Sequence, residues 1–272
     1  MPEGPEVFNY YLFIKPILEN KIIQNLEILS GKYVNKGISN IEKVKNAKVE
    51  DILVKGKTIF IKCENNTSLV FVHGMTGYYS KDAEKHSRIS FNFQDVYTNL
   101  YYNDPRNFGT LNIYTTKKDF DKAWESLGPD ILNTEVDMEE FYSRLDKYPK
   151  MKIGIALMEQ KLLAGIGNYL RCDILWYCKI HYERQIGSLT DKEKERLYDA
   201  SVNIVKFHAN FKHNLKFLPK NEFFVYQQTK DIFNNKVLQA KFNSRTIHYV
   251  KWNEDNNSDY DSDYDIIVKK KK

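Results

Sequence analysis

The chain has 272 residues, 42% of them hydrophobic, which is enough for one large domain or two ordinary ones with real cores. No run of apolar residues is long enough to span a bilayer and none reads as a signal peptide, so an intracellular protein without a membrane association is expected. The net charge of +5 is split: the last twenty residues carry −2 and the rest +7, a balance that suits a polyanionic partner.

The first residues, Met1-Pro2-Glu3-Gly4-Pro5-Glu6-Val7, carry the strongest chemical signal. Removal of Met1 would leave Pro2 as a free secondary amine. An α-amino group titrates near ~8 against roughly 10.4 for a lysine, so about a tenth of it is unprotonated at neutral pH. Such an amine attacks a sugar carbon readily and yields an iminium ion that acts as an electron sink. Glu3 and Glu6 could divide proton donation and removal between them. The same residues also read as an ordinary helix start, Pro in the first turn followed by Glu. Val7, Tyr11, Ile14 and Leu18 then recur on one helix face, and Lys15-Pro16 is expected to distort or end that helix.

From Ile22 to about Thr115 the pattern becomes β-rich. Expected strands are Ile22–Leu29, Val49–Val54, Thr58–Lys62, Leu69–His73, Arg88–Phe93, Leu100–Tyr102 and Leu111–Tyr114, which indicate an antiparallel sandwich or barrel. Lys55-Gly56-Lys57 is a tight turn that presents a lysine. Gly74-Met75-Thr76-Gly77 and Asp104-Pro105-Arg106-Asn107-Phe108-Gly109 are loops with one large apolar residue each. Met75 and Phe108 are of the type that wedges into a base stack, or else they fold back into the core.

A helix over Asp119–Leu127 ends at Gly128-Pro129, and Asp137 caps another that runs to Leu145. After Tyr148-Pro149-Lys150 the pattern turns helical, with Ile153–Gln160 and then a break at Gly165-Ile166-Gly167 that lets a new helix begin at Asn168. Its open N–H groups form a ready phosphate site. Thr190 and Glu193 make a capping box for a long helix to about Asn210. Phe223–Trp252 is aromatic and β-like, with Asn234-Asn235 as its hairpin turn and Arg245 on the return strand. The residues beyond 252 read as disordered, and Lys269–Lys272 as a solvated tail or a nuclear address. The three cysteines, Cys63, Cys172 and Cys178, form no CxxC pair, so neither disulfides nor a metal site is indicated, and no cofactor is expected.

Taken together, Pro2-Glu3-Gly4-Pro5-Glu6, Gly56-Lys57, His73-Gly74-Met75-Thr76-Gly77, Asp104-Pro105-Arg106-Asn107-Phe108-Gly109 and Leu163-Ala164-Gly165-Ile166-Gly167-Asn168-Tyr169-Leu170-Arg171 resemble the formamidopyrimidine-DNA glycosylase / endonuclease VIII family. Five motifs in order cover nearly the whole chain. The resemblance implies an α+β protein with four parts: a catalytic β-sandwich with linker helices at 1–147, a helix–two-turn–helix DNA-binding domain at 148–215, a finger hairpin at 216–252 and a tail at 253–272. It also implies a monomeric base-excision repair enzyme that flips a damaged nucleotide out of duplex DNA. In that reading Pro2 attacks C1′ and Glu3 handles the proton that opens the sugar. Glu6 supports Glu3, Lys57 holds a phosphate beside the lesion, and Met75, Arg106 and Phe108 fill the vacated space. Asn168 and Arg245 grip the backbone, and Arg245 assists the second elimination.

Most members of that family end in a four-cysteine zinc finger, whereas no cysteine follows Cys178 here. The chain thus resembles the zincless-finger, endonuclease VIII-like branch of vertebrates and giant viruses, whose preference is for oxidised pyrimidines, hydantoins and abasic sites. A viral source would put the protein in the nucleus or a viral replication compartment. The Met75–Arg106–Phe108 set favours a formamidopyrimidine/8-oxoguanine preference as the alternative. A damage-binding module without catalysis is a further alternative, opposed by the presence of both Pro2 and Glu3.

Overall fold

A computed structural model describes residues 2–94, 99–133, 136–210 and 223–252. Helix α1 spans Gly4–Leu18 and opens with a capping box, in which the Glu3 N–H donates to Glu6 Oε2 at 2.8 Å. Its buried stripe is Val7, Tyr10, Ile14 and Leu18. Tyr10 thus takes the inward place expected of Tyr11, which is only half-buried. Pro16 lies inside the helix and does not end it. A proline gives up the N–H that would reach the carbonyl four residues back, here that of the outward-facing Leu12, and the helix closes normally with Glu19 N–H on the Lys15 carbonyl.

The β-rich half follows as β1 (Ile22–Ile28), a short helix α2 (Lys32–Lys36), a 3-10 turn, β2 (Ala47–Lys55), β3 (Thr58–Cys63), β4 (Ser68–Val72), β5 (Tyr78–Ser80), β6 (Ser87–Phe93), β7 (Leu100–Asn103) and β8 (Thr110–Tyr114). All pairings are antiparallel, in the order β5-β7-β6-β1-β2-β3-β4-β8. β1 and β2 pair only at Ile22↔Lys48 and Ile23↔Ala47. There the ribbon breaks into two four-stranded layers, whose inward residues and the stripe of α1 share one core. Strand β3 is buried on both faces. Ile59 and Ile61 enter that core, while Phe60 lies under Phe120 and Trp124 of α3 (Lys117–Glu125), with ring centroids 5.6 and 5.1 Å away.

Helix α4 (Met138–Leu145) is capped by Asp137, which accepts from Glu140 N–H at 2.7 Å. The helix expected over Ile153–Gln160 is a single turn, α5 (Ile153–Ala156). Past it, Gln160 is spent on the following turn: its carbonyl accepts from Gly128 N–H, its Oε1 from Gly165 N–H, and its Nε2 donates to the Ile166 carbonyl. Helix α6 (Asn168–Tyr177) and helix α7 (Asp191–Asn210) follow, the latter with the Thr190–Glu193 capping box. The last hairpin is β9 (Leu238–Phe242) with β10 (Arg245–Tyr249). Its turn is Asn243–Ser244, both at positive φ, and not Asn234–Asn235. The latter pair sits in a separate loop gathered around Asp231, whose carboxylate accepts from Phe233 N–H, Asn235 N–H, Asn235 Nδ2 and Trp176 Nε1. These helices and the hairpin share a second core that includes Leu163, Leu170, Ile174, Leu197, Phe242 and Ile247. The stretch beyond 252 that reads as disordered lies outside the described residues.

Candidate active site and nucleic-acid interface

The site forms where three backbones touch. Gly4 N–H donates to the Gly165 carbonyl at 2.8 Å, and Gly56 N–H donates to Asp130 Oδ2 at 2.6 Å. A Cβ on Gly56 would stand 2.7 Å from both Ala164 Cβ and Gly165 N, and Gly56 itself holds φ at +58°. Only glycine permits this approach. It brings the chain start, the β2–β3 turn that carries Lys57, and the turn before α6 to one point.

Glu3 is 1% exposed and lies against the N-terminus of α6. Its Oε2 accepts from Gly167 N–H at 2.8 Å and Leu170 N–H at 3.2 Å, and its Oε1 from Tyr169 N–H at 3.0 Å. The N–H groups that the sequence offered as an open phosphate site are therefore occupied by a carboxylate from the far end of the chain. A carboxylate satisfies the same unpaired donors and the same positive helix end that a phosphate would. Burial raises the pKa of Glu3, opposed by Lys57 and by the backbone N–H groups. Glu6, 7% exposed, accepts from Glu3 N–H and from the Tyr169 hydroxyl, which lies 3.0 and 3.1 Å from its two oxygens. Burial pushes Glu6 up to about 7 against those hydrogen bonds, and the neighbouring Glu3 adds to the rise. Lys57 is lowered by desolvation and by Arg245, while Glu3 and Glu6 pull it back. Pro2 is buried beside Glu3. Two buried carboxyls whose pKa values are raised and one lysine thus lie beside the chain start, a set that suits acid–base work.

Asn168 is the first residue of α6, but its side chain is engaged within the protein. Its Nδ2 donates to the Thr246 carbonyl at 2.9 Å, and its Oδ1 accepts from Arg171 Nη2. Arg245 begins β10 and is exposed. Met75 is half-buried, whereas Phe108 is 54% exposed with the Arg106 guanidinium 5.0 Å from its ring centre, so the inward alternative for Phe108 is wrong. The reason is local. Asp104 accepts from Gly109 N–H at 2.6 Å and from Thr76 Oγ1 at 2.6 Å, and Asn107 sits at φ +60°, which turns the tip outward. The same Asp104 ties the Met75 loop to the Arg106–Phe108 loop. His73 faces inward, among Tyr10, Tyr79 and Tyr102, and burial holds it neutral down to about pH 3.

Sequence reasoning missed Tyr169, Arg171, Asp104 and the docking of Glu3 on α6. The first three lay inside motifs already singled out; the fourth had no local signal at all.

Residues 1–111 match the formamidopyrimidine-DNA glycosylase N-terminal domain, and residues 127–213 the formamidopyrimidine-DNA glycosylase H2TH domain. The β-sandwich and the helical region that follows it correspond to those two matches. The fold is similar to the Lactococcus lactis Fpg in complex with abasic-site DNA, with a TM-score of 0.77, 24% identity, and 91% of this chain and 97% of that one covered. It is equally similar to the wild-type L. lactis protein in complex with DNA containing an oxidised pyrimidine, with a TM-score of 0.78, 24% identity, and 92% and 98% covered. In sequence, the chain is 33% identical to the formamidopyrimidine-DNA glycosylase of Ligilactobacillus salivarius over 213 residues, 76% of this chain and 75% of that protein. It is 31% identical to a Bacillus cereus relative of the same name, over 74% and 75%. The chain belongs to the formamidopyrimidine-DNA glycosylase family.

The zinc finger typical of that family does not fit the residues present. The cysteines are free and buried, and none lies in the β9–β10 hairpin. Among the described residues, no group of three or more His, Cys, Asp or Glu side chains could hold a metal ion. No helix among them is long and apolar enough to cross a membrane.

Proposed function

We propose that this protein is a bifunctional DNA glycosylase and abasic-site lyase of base excision repair. It acts through Pro2 on duplex DNA that carries oxidised bases or abasic sites. The observation that carries this reading is the Glu3 carboxyl, fixed by three backbone N–H groups directly beside Pro2 and within the field of Lys57.

Once Met1 is removed, the Pro2 nitrogen bonds to C1′ of the extruded nucleotide, the C1′–base bond breaks, and the proton lost from that nitrogen leaves on the base. Protonated Glu3, favoured by its burial, delivers its proton to the ring oxygen, and the sugar opens to an iminium ion. The iminium withdraws electrons from C2′, the Glu3 carboxylate left by ring opening takes a proton from that carbon, and the C3′–O bond breaks to release the 3′ phosphate. A second elimination expels the 5′ phosphate and cuts the strand on both sides. Glu6, itself held by the Tyr169 hydroxyl, accepts from the Glu3 N–H and keeps a second titrating carboxyl within reach. Lys57 and Arg245 take the flanking phosphates as cations. Met75, Arg106 and Phe108 occupy the hole in the duplex, with Arg106 toward the orphan base.

The lack of cysteines beyond Cys178 supports the zincless branch, with β9–β10 held by packing. Tyr182 meets Phe242 and Tyr249 at ring distances of 4.7 and 5.1 Å. With that branch goes a preference for oxidised pyrimidines and hydantoins. The protruding Arg106–Phe108 pair and the names of the curated relatives favour formamidopyrimidine and 8-oxoguanine as the second reading. The division at 147, 215 and 252 into catalytic, helical, finger and tail parts belongs to the same proposal.

The test is borohydride trapping on a duplex with one abasic site, followed by mass spectrometry of the adduct, and then base release from matched pyrimidine and purine lesions. An adduct at Pro2 is expected. An adduct on a lysine would remove Pro2 from its role, and binding without any adduct would leave only damage recognition.

A further inference from the structure

We propose that Arg171 is the positioning residue that seats the tip of the β9–β10 hairpin, and with it Arg245, against the start of α6. The inference rests on the reading above, in which Arg245 takes a DNA phosphate.

Arg171 is a cation almost wholly enclosed by protein, at 1% exposure. Its hydrogen bonds go to neutral acceptors: Nη1 donates to the Gly154 carbonyl at 3.0 Å and Nη2 to Asn168 Oδ1. Its guanidinium carbon lies 5.7 Å from the centre of the Phe242 ring. Burying a charge without a carboxylate partner is costly, and a methionine or leucine would fill such a space at lower desolvation cost. What an apolar side chain cannot do is reach two separated oxygens and lie on a ring at once, which suits the planar fork of arginine.

Those contacts converge on one object. Phe242 is the last residue before the Asn243–Ser244 turn. Thr246 follows Arg245, and its carbonyl is held by the amide of Asn168, whose other end Arg171 holds. Two residues further along the strand, His248 N–H donates to Cys172 Sγ at 3.4 Å. The turn beside Arg245 is thus gripped on both sides from Asn168, Arg171 and Cys172 of α6, and Arg171 takes part on both sides, on Phe242 directly and on Thr246 through Asn168. In a hairpin without metal ligands, this fixes where the Arg245 charge sits.

The experiment compares wild type, R171K, R171M, R245A and the double variant R171K/R245A on a duplex with a pre-formed abasic site. The readouts are the ratio of singly to doubly eliminated product, the salt dependence of binding and the thermal midpoint. R171K should shift product toward single elimination and lower the salt slope by about one, as loss of one phosphate contact does. The double variant should be no worse than R245A alone. A lowered midpoint with unchanged product ratio and slope would make Arg171 a core residue only, and multiplicative losses in the double variant would also overturn the inference. Should the Arg171 variants fail to fold, F242L removes the ring contact and leaves the charge in place. A product ratio unchanged in folded F242L refutes the idea equally. If wild type neither traps nor cuts, the proposed function falls and takes this with it. Wild-type cutting with unaffected variants sinks this inference alone.

Discussion

Gly167→Ala tests the docking of Glu3 on α6 without touching a charged group. Gly167 has φ −127°, an ordinary extended value, so alanine introduces no backbone strain there. Its Cβ would nevertheless stand 2.2 Å from Glu3 Cδ and 2.3 Å from Oε1. Carbon atoms in contact sit at about 3.5–4.0 Å, so the carboxyl must retreat by roughly 1.3 Å or more. That carries hydrogen bonds now at 2.8–3.2 Å beyond bonding range. With Glu3 protonated each hydrogen bond contributes about 0.5–1.5 kcal/mol, so loss of the three destabilises by about 1.5 kcal/mol or more. A misplacement of about 1 Å at a reacting group lowers the rate by roughly 10²-fold. Single-turnover base release on a lesion-bearing duplex should fall by that factor. Trapping on a pre-formed abasic site, which needs no base release, should fall much less. Base release within about three-fold of wild type, in protein shown to be folded, would refute the reasoning, because Glu3 would then not depend on its seat.

Three further outcomes are expected. Pro2→Gly leaves a primary amine and should abolish most trapping while duplex binding persists; unchanged lyase turnover would remove Pro2 from its role. Glu6 holds its proton up to about 7 when folded, against 4.5 ordinarily, so its contribution to stability is complete below pH 4.5 and declines as the pH rises through 7. In Glu6→Gln the loss of stability between pH 4.5 and 8, measured by denaturant titration, should shrink by about 3 kcal/mol; an identical pH profile would show that Glu6 is not the group responsible. Asp104→Ala breaks the ties to Thr76 and Gly109 and should cost about 3 kcal/mol, with a roughly ten-fold rise in KM on abasic DNA. A stability loss at unchanged KM would mean that the two loops do not act together on DNA.

The elements read correctly from sequence were those specified by neighbours. Thr190 and Glu193 are three residues apart and form the expected box, and Asp137 caps α4. Gly56 was legible as a turn, although not as the place where a second backbone arrives. What failed was specified at long range. Strand β5 has only three residues, too few for an alternation to register. The Ile153–Gln160 helix was cut short because Gln160 serves the turn at Gly165. Asn234-Asn235 looked the better hairpin turn, yet the β9–β10 turn is Asn243-Ser244, because Asp231 claims the earlier pair for its own loop. Pro2, Glu3 and Lys57 stood out in the sequence as candidates; that Glu3 would occupy the helix end did not, since 164 residues separate it from Gly167.

That separation has a consequence for the life of the chain. Glu3 and the donors that immobilise its carboxyl lie more than half a chain apart, so the seat exists only once residues 167–170 have been made. In the mechanism proposed above, a Pro2 amine without a seated Glu3 lacks the proton that opens the sugar. In that reading closure of the Gly4–Gly56–Gly165 junction works as a safety catch: a chain cut short before residue 167 carries the amine without its proton partner, and competence waits for the junction to close.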